Sequence, residues 1–123
     1  MRLPDQGAPP TAETVVICRH PARRAMLAQL VPAPCVHSSA VEALLAIVRR
    51  RPRAVLVNLE DVAGAEQAVV SALRRARPDV PIYTIVAPED EPLGRRLVDE
   101  GAADYFVVPS DVRRLPSVLG AAP

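Results

Sequence analysis

Arg53-Ala54-Val55-Leu56-Val57-Asn58-Leu59 is the stretch that decides the fold. Residues 54–57 are apolar without alternation, so a strand there has no face to turn to water and must be covered on both sides. Such a strand belongs in the interior of a parallel sheet sandwiched by helices. Asn58 is the first polar side chain after the run. It stands at the carboxyl end of the strand, where open α/β sheets place their ligands.

The pattern recurs in both directions along the chain. Thr14-Val15-Val16-Ile17-Cys18 is a second β-branched run, bounded by Arg19-His20-Pro21. Pro21 suits the first turn of a helix with Met26, Leu27 and Leu30 as its stripe, ending at Val31-Pro32. Residues 34–37 read as a weaker strand. Ser39 with Glu42 forms a capping box. The helix behind it takes Val41, Leu44, Leu45 and Val48 as its apolar stripe, and Arg49, Arg50 and Arg51 crowd its end before Pro52.

A third helix over 65–77 turns Val69, Val70 and Leu73 inward and closes on Arg74, Arg75 and Arg77. A strand over 81–87, a helix over 92–100 terminated by Gly101, and a strand over 104–108 follow. A short helical tail, interrupted by Pro116, ends the chain. Five strand–helix alternations predict an α/β, flavodoxin-like (βα)5 fold, a doubly wound five-stranded parallel sheet in a single domain. Residues 1–12, Pro-rich and without periodicity, read as a disordered leader. Residues 13–120 read as the domain, and 121–123 as a tail or the start of a linker.

Composition removes whole classes of function. All 15 basic residues are Arg, so no lysine Schiff base or P-loop lysine exists here. With 14 acids the net charge is +1, which lacks the cationic excess of a general nucleic-acid binder. No apolar run approaches the ~18 residues of a membrane span, and residues 1–10 lack the apolar stretch of a secretory signal. Cys18 and Cys35 lie in different segments and read as reduced thiols, which points to the cytoplasm. With Tyr83, Tyr105 and Phe106 as the whole aromatic set, the core is expected to be Val, Leu, Ile and Ala.

Gly101-Ala102-Ala103-Asp104-Tyr105-Phe106-Val107-Val108-Pro109 is similar to the G-A-x-x-Y-x-x-K-P segment of response-regulator receiver domains, the CheY-like family. Pro52 to Asn58 resembles that family's third strand, P-D-L-V-L-L-D, and Val15 to Pro21 stands where the family has an apolar strand running into an acidic pair. The resemblance runs from about residue 14 to residue 119. It implies a bacterial signalling domain in which a strand-end Asp takes a phosphoryl group, acids hold Mg²⁺, a Lys contacts the phosphoryl group and a Thr or Ser responds to it. Mapped onto this chain, the acidic pair falls on Arg19 and His20, the acceptor on Asn58, the Thr/Ser on Val86 and the Lys on Val108. Asn58 has no carboxylate nucleophile, Arg19 and His20 suit no hard cation, and Val86 and Val108 donate nothing to a phosphoryl oxygen. The expectation is a degenerate pseudo-receiver without metal or cofactor. It is expected to be no enzyme and to act by phosphorylation-independent protein–protein interaction.

In the family the fourth helix, fifth strand and fifth helix form the partner face, so the resemblance implies an interaction face at Leu93, Leu97, Tyr105 and Val107. Shortening of the last helix by Pro116 is expected to open a groove there for a protein partner or a homodimer, with no nucleic acid or membrane as partner. Ending at Gly-Ala-Ala-Pro, the chain also fits the front domain of a longer regulator.

Other readings compete. Cys18 and Arg24 satisfy C-x5-R, the spacing of a cysteine-phosphatase loop, although Ala25 replaces its Ser/Thr and Pro21 removes a cradle N–H. Arg19, His20 and Arg23 make a positive cluster suited to a small anionic ligand. Glu60 or Asp61 offers a displaced acceptor, while the plainer role of Asp61 is to N-cap the following helix. His20 and His37 lack zinc spacing, and the Arg groups at 49–51, 74–75, 95–96 and 113–114 read as solvated helix ends.

Overall fold

A computed structural model describes residues 11–120. Its strands and helices alternate in the expected order: β1 (Thr14–Ile17), α1 (Pro21–Leu30), β2 (Pro34–His37), α2 (Ala40–Arg49), β3 (Ala54–Asn58), α3 (Glu66–Ala76), β4 (Ile82–Val86), α4 (Glu91–Asp99), β5 (Asp104–Val107) and α5 (Leu115–Leu119). The strands form one parallel sheet in the order β2-β1-β3-β4-β5, the flavodoxin-like doubly wound topology. Every residue of β3 is buried, as its unbroken apolar run requires. Residues 1–10 of the leader expected over 1–12, and the tail over 121–123, lie outside the described residues. Thr11 is tied to the domain, donating its N–H to the Arg51 carbonyl at 2.8 Å.

The sheet divides the core in two. On one face Ile17, Val57 and Val86 meet Ala43 and Ile47 of α2, Leu73 of α3 and Leu97 of α4. On the other, Cys18, Leu56 and Phe106 meet Leu27 of α1 and Leu115 and Leu119 of α5. Val69, Val70 and Leu73 point inward from α3 as the periodicity predicts.

Three local expectations are corrected, and Arg77 takes a role the sequence did not announce. The stripe of α2 is rotated: Ala43 and Ile47 are buried and Leu44 packs beside them, whereas Val41, Leu45 and Val48 are 66%, 54% and 50% exposed. Ala43 and Ile47 are the residues that join the core cluster on this face of the sheet. Asp61 does not cap α3, which starts behind Ala65 without a side-chain cap; Asp61 sits in a 3₁₀ turn over Leu59–Val62. Arg77, expected to close the third helix, does more than that. It is 6% exposed and caps α2 across the fold, donating from Nε to the Ile47 carbonyl (2.8 Å) and from Nη2 to the Val48 carbonyl (2.9 Å). Pro116, finally, lies in the first turn of α5 rather than interrupting it, where a missing N–H costs nothing. A 3₁₀ turn over Val112–Arg114 precedes it, so residues 111–119 are not one straight helix.

Candidate functional site

The carboxyl ends of the strands bring the five predicted pocket residues to one edge of the sheet. Asn58 closes β3 and is fully buried; Val86 closes β4 and Val108 follows β5, both buried. Arg19 and His20 are exposed in the loop from β1 to α1, where the His20 ring accepts the Arg23 N–H at 3.2 Å and caps α1.

The Asn58 amide is occupied on both sides. Its Nδ2 donates to Asp61 Oδ2 at 2.8 Å, and its Oδ1 accepts from Arg23 Nη1 at 3.1 Å. The same guanidinium pairs with Glu60 at 2.9 Å. Asp61 Oδ2 also accepts the Arg19 backbone N–H at 2.7 Å, stitching the β3–α3 turn to the β1–α1 loop. Burial works to raise the Asp61 carboxyl, but the Arg19 N–H, the Asn58 amide, the His20 N–H and the Arg19 charge outweigh it and hold it below its usual value. Asp61 is thus a structural anion at the strand ends. The three-residue spacing Asn58-x-x-Asp61 was visible in the sequence, yet it fits a helix cap equally well.

The positive cluster is therefore answered from within the chain: Arg23 is committed to Asn58 and Glu60, and Asp61 lies against Arg19. The residues present do not fit the divalent cation that the resemblance implies. Arg19 and His20 stand where oxygen ligands would be needed, the Arg23 guanidinium fills the space in front of Asn58, and no group of three or more His, Cys, Asp or Glu among the described residues is arranged to hold a metal. Beside Val108 a cavity of about 400 Å³, mostly apolar, is lined by His20, Arg23, Met26, Ala87 and Pro109 among others.

Cys18 and Arg24 do not form a phosphatase loop. Cys18 is fully buried, and its thiol is pushed up to about 11 by burial and by the nearby Asp61 charge. The Arg24 guanidinium turns to Ser38 Oγ at 3.1 Å. Cys35 is a free, partly buried thiol whose Sγ lies 3.4 Å from His37 Nε2.

The expected interaction face is also revised. Leu97 is fully buried and belongs to the core, and Leu93, Tyr105 and Val107 are half-buried against that core, so no open apolar groove runs through the four. Tyr105 is locked: its ring lies on Gly94, where an added Cβ would stand 3.0 Å away, and its hydroxyl donates to Glu91 Oε2 at 2.8 Å. That bond and Arg95 keep the Glu91 carboxyl below its usual range.

No family model matches the sequence, and no curated protein matches it either. Solved structures do. The N-terminal signal receiver domain of a two-component response regulator from Bacteroides fragilis superposes with a TM-score of 0.79 at 20% identity, covering 92% of this chain and 94% of that one. The fold is that of a receiver domain. The REC domain of AraT, a response regulator from Geobacillus stearothermophilus, gives 0.72 at 16% identity, covering 88% of this chain and 89% of that chain. NtrX from Brucella abortus gives 0.72 at 21% identity, covering 89% of this chain but 26% of that protein. On a receiver fold, Asn58, Val86 and Val108 occupy the strand ends at which such sheets build their sites. There they leave one amide and two buried aliphatic side chains. Among the described residues no helix is long and apolar enough to cross a membrane.

Proposed function

We propose that the chain is a pseudo-receiver: a non-catalytic regulatory module of bacterial two-component signalling that acts in the cytoplasm through protein–protein interaction, independently of phosphorylation. The observation that carries this reading is the state of Asn58. A receiver needs a free carboxylate at that strand end to attack a phosphodonor, and here an amide stands there with its oxygen bonded to Arg23 and its nitrogen to Asp61. The supporting cast is missing as well. Val86 and Val108 offer no donor, and Arg19 and His20 offer no cation site. Asp61 is the nearest carboxylate, but its Oδ2 already accepts two hydrogen bonds, which lowers its nucleophilicity. Residues 13–120 constitute the module in this reading.

Incubation with acetyl phosphate, or with beryllofluoride and Mg²⁺, followed by intact-mass and spectral measurement tests it. The expected result is no change of mass and no shift. A stoichiometric, acid-labile phosphoryl adduct on any Asp would sink the proposal.

A further inference from the structure

All the large apolar side chains that are half or more exposed among the described residues lie on one helix: Val41 (66%), Leu45 (54%) and Val48 (50%) of α2. Their spacing of four and then three makes them one continuous stripe rather than scattered surface residues. The opposite face of α2, with Ala43 and Ile47, already packs on the sheet. The helix is thus apolar on two sides, and one of them is uncovered. Beside the stripe, Glu42, Leu45 and Arg49 line an open groove against Val36 and His37 of the edge strand β2.

The charges beside the stripe point to what covers it. Glu42 and Arg49 are seven residues apart, so they sit on the same flank at opposite ends of the helix. When a second α2 runs antiparallel across the first about a two-fold axis near Leu45, Val41 of each comes to the Val48 end of the other. Glu42 of each then faces Arg49 of the other, because equivalent flank positions meet in antiparallel helix pairs. Arg49 makes no ion pair among the described residues, and the antiparallel helix dipoles favour the same arrangement. A parallel pairing would bring the like-charged ends together.

We propose that the chain forms an isologous homodimer through α2, with Val41, Leu45 and Val48 as its apolar seam and reciprocal Glu42–Arg49 pairs fixing the antiparallel register. This interface is separate from the Tyr105 face and does not depend on whether the strand-end pocket takes a phosphoryl group. A ten-residue helix is about 15 Å long, so the contact falls below roughly 1,200 Å² and the dimer is of the weak, reversible kind.

Sedimentation velocity on the full chain from about 10 μM to about 1 mM is expected to show a monomer–dimer transition in that range. Leu45→Glu is expected to weaken it by about tenfold or more, because it places a charge in the seam. Glu42→Arg and Arg49→Glu each set like charges opposite one another and are expected to weaken it as well. An equimolar mixture of those two variants restores both pairs and is expected to associate about tenfold more tightly than either alone. Circular dichroism of each variant confirms an intact fold, and the mixture uses the same two chains as its own controls. A wild type that stays monomeric at 1 mM, or dimerises with an affinity that Leu45→Glu leaves unchanged, overturns the proposal and assigns the stripe to a different protein or to another part of this chain. Equal association in the mixture and the single variants overturns it too, because it removes the antiparallel register.

Discussion

Asn58 Nδ2 lies 2.8 Å from Asp61 Oδ2, so the end of the central strand is closed by an amide–carboxylate bond three residues long in sequence. The pairing explains how an amide is accommodated at a fully buried position, with both of its polar atoms partnered. It also sets what happens when a carboxylate is put there.

Asn58→Asp brings two carboxylates to hydrogen-bond distance, with Arg23 as partial compensation. The variant is expected to be about 2–3 kcal/mol less stable near neutral pH. It should recover part of the loss on acidification, because the native pair then shares a proton that the unfolded chain binds less tightly. Urea unfolding at pH 7 and pH 5 measures this. Phosphoryl uptake from acetyl phosphate is expected to remain absent in the variant, since Val108, Val86, Arg19 and His20 are unchanged.

Asp61 contributes stability with a defined pH window. Its folded pKa lies below the ordinary 3.8, so the contribution is present above that value and is lost as pH falls through the lower, folded value. Asp61→Ala removes the acceptor for the Arg19 N–H and for the buried Asn58 amide, and is expected to cost about 2 kcal/mol at pH 7. The gap between variant and wild type should narrow as pH drops below 3.8. A gap that is constant from pH 7 to pH 2.5 in denaturant titrations would contradict the ionised role.

Arg77→Met keeps the aliphatic stem but leaves the Ile47 and Val48 carbonyls without their guanidinium. With the side chain nearly buried, the expected loss is about 2–3 kcal/mol, or roughly 10 °C or more in thermal midpoint. Amide hydrogen exchange offers a sharper readout. Protection should fall first in the last turn of α2, thirty residues away in sequence.

Thiol chemistry separates the two cysteines. Cys18 is fully buried with its pKa pushed to about 11, whereas Cys35 is partly exposed. A thiol reagent at pH 8 is expected to modify Cys35 alone in the folded protein and Cys18 only in denaturant. Hydrolysis of a chromogenic phosphate ester is expected to stay at background in wild type and in Cys18→Ser alike. Turnover that disappears in the variant would reinstate the phosphatase reading.

Much of this was legible before the fold was known. The unbroken apolar runs at 15–18 and 54–57 demanded a two-sided parallel sheet, because a strand without a polar face has nowhere else to go. The chemistry available at these strand ends was legible from residue identity alone, since neither packing nor register turns Val108 into a donor or Asn58 into a carboxylate. Less visible was the use made of the charges. Asp61 read as a cap and became the counter-ion of the β1–α1 loop; Arg77 read as a residue closing the third helix and became the cap of α2. Leu97 read as part of a surface groove and lies in the core.

The sequence by itself determined the order of the elements, the parallel sheet and which side-chain types stand at the strand ends, because those depend on local periodicity and on the chemistry of single residues. Only the tertiary structure decided which way α2 is rotated and where each Arg and Asp finds its partner. Val41, Leu45 and Val48 obey the same helical period as Ala43 and Ile47, and nothing in a one-dimensional pattern says which set meets the sheet. That choice is made by fit. Ala43 and Ile47 fill the space over the sheet, and Val41, Leu45 and Val48 are left facing outward, free for the antiparallel α2 pairing proposed above.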